Sequence, residues 1–163
     1  MLTDRLAYSA ENCSIARALE DLGGKWTLLV LREAFYGVRR FDQIQQAVGC
    51  PRNVLSARLA ALVQQGILET APYRDEGQRA RLEYRLTDKG RALLPILLAL
   101  MRWGETWEPA ADGPTVELRH RDCGAPLRVE ISCEEGHREL GARDALAFPG
   151  AGAKLLEPAA PSR

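Results

Sequence analysis

Residues 49–68, GCPRNVLSARLAALVQQGIL, constrain the fold more than any other stretch. Leu55, Leu59 and Leu62, with Val63 beside them, recur three to four apart, the spacing of one buried helix face. The opening turn carries Pro51, Arg52, Asn53 and Ser56, and Arg58 follows. Pro51 fixes the entry of the helix, and the polar groups suit phosphates and base edges better than a core. Immediately afterwards the period changes. ILETAPY (67–73) and ARLEYRL (80–86) read as two strands around RDEGQR, a polar turn centred on Gly77. A short helix anchored by a leucine ladder and followed by a hairpin admits few folds.

The segments upstream narrow the choice. Asn12 or Ser14 can cap a first helix with Ile15, Leu19 and Leu22 on one face, and Gly23-Gly24 breaks it. KWTLLVLREAFY is a second helix that Gly37 ends. VRRF reads as a short extended link. Asp42-x-x-Gln45 has the form of a capping box for a short third helix with Ile44, Ala47 and Val48 inside. Gly49 to Arg52 is then the turn, and Gly66 stops the helix after Gln65. Downstream, Thr87 is expected to cap one long fifth helix to about Trp107, kinked at Pro95. EPAADGP (108–114) is a linker by composition. TVELRHR and PLRVEISC alternate as strands, and the Ala/Gly/Pro-rich end is expected to be poorly ordered.

This order gives an α+β fold: a winged helix-turn-helix with a long C-terminal helix and a small β-ribbon tail. Three parts follow: 1–107, the DNA-binding domain, to which the family resemblance given below adds dimerisation; 108–114, the linker; and 115–163, the tail. The helix after the turn would place its N-terminal end in a major groove. Arg52 and Arg58 can reach phosphates or guanine, Asn53 can pair bidentately with adenine, and Ser56 shares their face. Arg74 and Arg79 at the hairpin tip can lie along the backbone or in the minor groove. Lys25, Arg39 and Arg40 join this DNA-facing set. The charge distribution agrees. Residues 25–91 hold 12 Lys/Arg against 7 Asp/Glu, although the whole chain is neutral, with 22 of each. The competing reading is a plain α+β core with solvated arginines, and the ordered series of elements favours DNA over it.

CSIARALEDLGGKWTLLVLREAFYGVRRFDQI, VLSARLAALVQQGIL and YRLTDKGRALLPILLALMRWGETW together closely resemble the HxlR family of bacterial transcription regulators, winged-helix proteins related to the MarR group. The family's marks are a cysteine before the first helix, GGKW, an Arg-Phe pair and Y-x-L-T-x-x-G-x-x-L. They stand here as Cys13, Gly23 to Trp26, Arg40-Phe41, and Tyr84, Leu86, Thr87, Gly90 and Leu93. The resemblance covers about residues 12–107. It implies a homodimer, built from the first and last helices, on a pseudo-palindromic operator. Some relatives are thought to sense oxidants or electrophiles through the N-terminal cysteine, which implies that role for Cys13. A helix N-terminus also favours a thiolate. Cys50 stands where the family more often has an aliphatic residue, and reads as a small core filler.

Other motifs carry less. GGKWT lacks the outer glycine and the Ser/Thr of a phosphate loop, with Leu19 and Trp26 in those places. The tail offers His120-x-x-Cys123 and Cys133-x-x-x-His137, four donors of the types a zinc site takes. Some HxlR-like tails resemble this pattern but end in C-x-x-C, and here Gly136 stands in the last cysteine's place. The expectation is therefore no cofactor, with a metal-free ribbon preferred over zinc. The alternative function is a zinc-ribbon interaction module whose winged helix does not read DNA. No nucleophile–base signature or paired-carboxylate motif suggests an enzyme. The sequence shows no secretory signal, and its longest apolar run, 92–101, is too short for a bilayer. The expected partners are double-stranded DNA, a second copy and a small-molecule or oxidant effector, with no membrane, in the cytoplasm.

Overall fold

The computed structural model describes residues 7–77 and 79–156. Among these the order is α1 (Ser14–Leu22), α2 (Lys25–Phe35), α3 (Phe41–Val48), α4 (Arg52–Gln64), β1 (Leu68–Tyr73), β2 (Arg81–Leu86), α5 (Asp88–Arg91) and α6 (Leu94–Trp107). The chain divides into two compact units, Asp21–Val129 and a second formed by the segments on either side of it. The expected linker, 108–114, lies inside the first of these.

The core of Asp21–Val129 is built where the leucine ladder points. Leu55 and Leu59 have no exposed surface, Leu62 has 1%, and they cluster with Leu22, Val30, Leu31, Ile44, Cys50, Ile67 and Leu68. Cys50 thus fills core space, as its position suggested. α2 packs against α3 and α4, and α4 passes directly to β1. Gly49 ends α3 with φ +72°, a left-handed conformation that glycine adopts without penalty. Pro51 follows as the N-cap of α4. The chain therefore reverses within three residues between α3 and α4.

β1 and β2 pair antiparallel from Leu68–Leu86 to Tyr73–Arg81. The link after α2 adds a single bridge to this hairpin, Arg40 with Glu83, and Tyr84 N donates to Arg39 O at 2.8 Å. The extended link read from VRRF is thus the third edge of the wing. Arg40 itself is the N-cap of α3, with no side-chain cap. The expected capping box at Asp42 does not form, because the helix starts one residue earlier and Asp42 turns to Arg52 instead.

The segment Tyr84 to Leu93 fastens the wing to the helices. Tyr84, Leu86 and Leu93 pack on the core. Thr87 caps α5 by accepting from Gly90 N (3.1 Å), while its hydroxyl donates to Gly66 O (2.6 Å). Lys89 Nζ donates to Gln65 O at 2.9 Å. Thr87 is the cap foreseen, but the helix behind it is not continuous. A one-turn α5 ends at Arg91, and α6 begins afresh at Leu94 with Pro95 in its first turn. Proline lacks the N–H that a continuous helix would need there, so the chain breaks where a kink was expected.

The tail also departs from expectation. No regular strand forms among its described residues, and TVELRHR and PLRVEISC meet through one bridge, Arg119 with Pro126. Two tight turns replace the ribbon. In one, His120 N donates to Ala125 O and Gly124 N to His120 O. In the other unit, Cys133 N donates to His137 O and Leu140 N to Ile131 O. Also within that unit, Tyr8 bridges Leu155, and Asn12 Nδ2 donates to Gly152 O at 3.2 Å. The expected disorder of the chain end falls in part on residues 157–163, outside the described residues.

Gly90 tests this packing. A Cβ there would stand 2.3 Å from Ile67 O, a backbone atom that cannot step aside. Gly90→Ala should lower stability by about 1–3 kcal/mol or more. Gly104→Ala, whose Cβ meets nothing within 4 Å, should leave stability equal or higher. Urea denaturation of the two variants compares them directly.

Candidate nucleic-acid interface

Burial of the leucine ladder fixes the rotation of α4 about its axis. Arg52, Asn53, Ser56, Ala57 and Ala60 are consequently exposed. Asn53 and Ser56 are three apart and share a face. Pro51 offers no side-chain cap, so the first-turn N–H groups are left without an intrahelical acceptor. An anion is the natural partner for such groups. The α4 start is therefore polar, exposed and rigidly held.

Arg52 does not project freely. Its guanidinium donates to Asp42 Oδ1 (2.9 Å) and Gln45 Oε1 (3.3 Å) and lies 4.8 Å from the centre of the Phe41 ring. Both charged side chains are about two-thirds exposed, at 64% and 65%. Such a pair is worth at most about 1 kcal/mol, so Arg52 can leave it for a phosphate at small cost. Arg58 is exposed, and its guanidinium carbon stands 4.0 Å from where a Cβ on Gly24 would be. Lys25 is exposed, with Nζ 5.1 Å from the Trp26 ring centre. These two cations lie at the start of α2 and on α4.

The wing arginines divide into two kinds. Arg40 donates twice to Asp75, at 3.0 and 2.8 Å, and stacks 4.3 Å from the Tyr73 ring. It ties the end of β1 to the start of α3, so its role here is to hold the wing. Arg39 lies 4.0 Å from Glu83, which is buried and bound more closely by Arg85 Nε at 2.6 Å. Arg74 and Arg79 are exposed near the hairpin tip. Sequence reasoning placed Arg40 among the DNA contacts and could not see its partner Asp75, 35 residues away.

The tail donors pair locally within each unit. His120 Nδ1 is 3.3 Å from Cys123 Sγ, and Cys133 Sγ is 3.2 Å from His137 Nδ1. Each pair by itself falls two ligands short of a closed zinc site. Among the described residues, no three His, Cys, Asp or Glu side chains gather to hold a metal. Cys13 lies outside α1, and its carbonyl accepts the first helical bond, from Arg17 N at 3.1 Å. Its thiol is half-buried.

A helix set by its core, a tight turn before it and a tethered hairpin after it define a winged helix-turn-helix DNA-binding protein. The model of the HxlR-like helix-turn-helix family matches residues 21–112, and the chain belongs to that family. It is 42% identical over 154 residues to Rv3095, an uncharacterised HTH-type transcriptional regulator of Mycobacterium tuberculosis, covering 94% of this chain and 96% of that one. A solved structure of PA1607, a candidate transcription factor, superimposes with a TM-score of 0.75 at 38% identity, over 86% of this chain and 96% of that one. The redox regulator HypR in its reduced form matches with a TM-score of 0.51 at 29% identity, over 56% and 90% of the two chains. The protein is a DNA-binding transcription regulator, a non-enzymatic class. Among the described residues no helix is long and apolar enough to cross a membrane.

The Arg40–Asp75 tie generates a prediction. Asp75→Asn keeps the shape and removes the charge, so the wing tip should loosen. Amide exchange over residues 72–76 should quicken by about tenfold, the equivalent of roughly 1.4 kcal/mol for a half-exposed bidentate pair at the upper end of its range. Unchanged exchange would show that Tyr73 packing alone holds the tip.

Proposed function

We propose that the protein acts as a homodimer on a pseudo-palindromic operator, with the N-terminal end of α4 in the major groove of each half-site. The observation that carries this is the division of α4: Leu55, Leu59 and Leu62 buried, Arg52, Asn53 and Ser56 exposed. Asn53 and Ser56 read base edges. Arg52 and Arg58 reach phosphate or guanine. Lys25, Arg39, Arg74 and Arg79 meet the backbone, and Arg40 contributes by fixing the wing. Residues up to Trp107 carry binding and dimerisation, 108–114 connect, and the tail follows. The setting is the cytoplasm, where the DNA is.

α6 supports the dimer. Ile96, Leu100, Trp103 and Trp107 are 50% or more exposed and recur at four, three and four residues, one continuous stripe. α1 exposes Ile15 and Leu19 one turn apart. Apolar stripes of this length are uncommon on a surface that stays in water. Two short recognition helices joined by two-fold symmetry also supply the specificity that one lacks.

Selection from a random DNA library tests the proposal. The wild type should enrich a sequence with two half-sites about 10 bp, one helical turn, apart and bind it as a dimer. Asn53→Ala should cost about 1–3 kcal/mol on that site and relax base preference. Arg79→Ala should weaken all sequences alike and flatten the salt dependence. A monomer with no enriched sequence would defeat the reading.

The effector is taken to be an oxidant or electrophile acting through Cys13, or a small ligand. Cys13 stands at the start of α1, and the likeness to the redox regulator HypR supports a thiol response. Peroxide should change operator affinity in the wild type and not in Cys13→Ser; equal responses would remove Cys13 as the sensor. The tail is read as metal-free, because Gly136 stands where the related tail pattern has its last cysteine. Elemental analysis of untagged protein should find well under one zinc per chain. A stoichiometric zinc, lost in Cys123→Ser, would establish instead that His120, Cys123, Cys133 and His137 serve a metal.

A further inference from the structure

The unit Asp21–Val129 holds an open cavity of about 950 Å³ away from the α4 surface. Its wall comes from the C-terminal half of α2, from Ala47 on α3, from Met101, Gly104 and Glu105 on α6, and from the chain between Glu108 and Val116. The volume lies within the range of small-molecule sites. The lining is mixed in a specific way. Tyr36, Met101, Pro109, Pro114 and Val116 supply apolar surface. Glu33, Glu105 and Glu108 supply three carboxylates against one lining cation, Arg32.

The carboxylates are not equivalent. Glu33 is 6% exposed and accepts from Arg32 Nε at 2.7 Å. Glu105 accepts from Arg102 Nη1 at 3.1 Å. Glu108, at the end of α6, has no ion-pair partner among the described residues. The Tyr36 hydroxyl reports on the same field. Its pKa is raised, first by burial, and Glu33 and Glu105 raise it further against the opposing effect of Arg32. Even with Arg102 counted, the cavity carries a surplus of negative charge beside an aromatic ring.

Gly104 shapes the space. A Cβ there would meet nothing within 4 Å, so the α6 wall is lower at this point than any side chain would leave it. The opposite wall is functional. Ala47 belongs to α3, whose Asp42 holds Arg52 at the start of α4.

We propose that this cavity binds a small organic cation with an aromatic or alkyl body, an amine or quaternary ammonium compound. The body lies against Tyr36, Met101 and Val116, and the cationic head faces Glu108 and Glu105. An aromatic ring and carboxylates together favour a cation over a neutral molecule of the same shape. The site deepens the small-ligand arm of the function proposed above, since an occupant touching Ala47 bears on the helix that holds Arg52. Binding itself does not depend on that reading.

Calorimetric titration of the full chain without DNA tests the site. The probes are 4-phenylbutylamine, 4-phenylbutanol and 4-phenylbutyrate, which share a body and differ in charge. The amine should bind about tenfold more tightly than the alcohol, and the carboxylate should bind weakest. Gly104→Leu should fill the space and weaken the amine about tenfold or more, with Gly104→Ala as the folding control. Glu108→Lys, an exposed change that folding tolerates, should narrow or invert the order of amine and carboxylate. No amine binding, a carboxylate that binds better to the wild type, or an order unmoved by Glu108→Lys would overturn the proposal. Because no DNA is present, that failure would leave the operator reading untouched; loss of operator selection would in turn leave the cavity untouched.

Discussion

The burial of three leucines on one side of α4 is the constraint on which the rest of the structure depends. Leu55, Leu59 and Leu62 sit on a core supplied by α2, α3 and the first residues of β1. Removing any one to alanine would cost about 2–5 kcal/mol, a large share of the stability of a domain this size. The same burial dictates what faces outward. With about 100° between successive residues, Ser56 and Asn53 can only point away once Leu55 points in. Specific chemistry on the exposed side is thus a geometric consequence of apolar chemistry on the buried side.

The wing depends on the same core through a short chain of contacts. Thr87 ties the end of the hairpin to Gly66 and caps α5, while Gly90 lets that turn press against Ile67. At the other end Arg40 grips Asp75 and Tyr73. One end of the hairpin is therefore fastened to the turn that follows α4, and the other to the start of α3, whose Asp42 accepts from Arg52 of α4. α4 and the hairpin beside it are thus joined by hydrogen bonds and packing at both ends of the hairpin.

Periodicity made much of this legible. The ladder, the change of period at Ile67 and the glycines at 49 and 66 are local signals, and each marks an element that forms. What the sequence hid were choices between local options made by distant partners. Asp42 looked like a cap, yet Arg52 takes its carboxylate. Arg40 gave no local sign that Asp75 would accept from it. Pro95 suggested a kink in one long helix, yet a fresh helix starts at Leu94, with Leu93 and Leu97 packed on the core. The tail alternated like strands, but among the described residues TVELRHR and PLRVEISC meet at the single bridge of Arg119 with Pro126. The cavity left no trace in the sequence, because its wall joins α2 to a Pro- and Gly-rich stretch some eighty residues away.

Photo-crosslinking from α4 tests the central claim most directly. A cleavable benzophenone on Ser56→Cys, in a chain whose native cysteines are replaced, should label bases within the selected operator at two positions about one helical turn, roughly 34 Å, apart. The same probe at Leu100, on the exposed stripe of α6, should label no DNA. Labelling from Leu100 with none from position 56 would contradict the account, since it would place the leucine-anchored helix away from the groove it is held to enter.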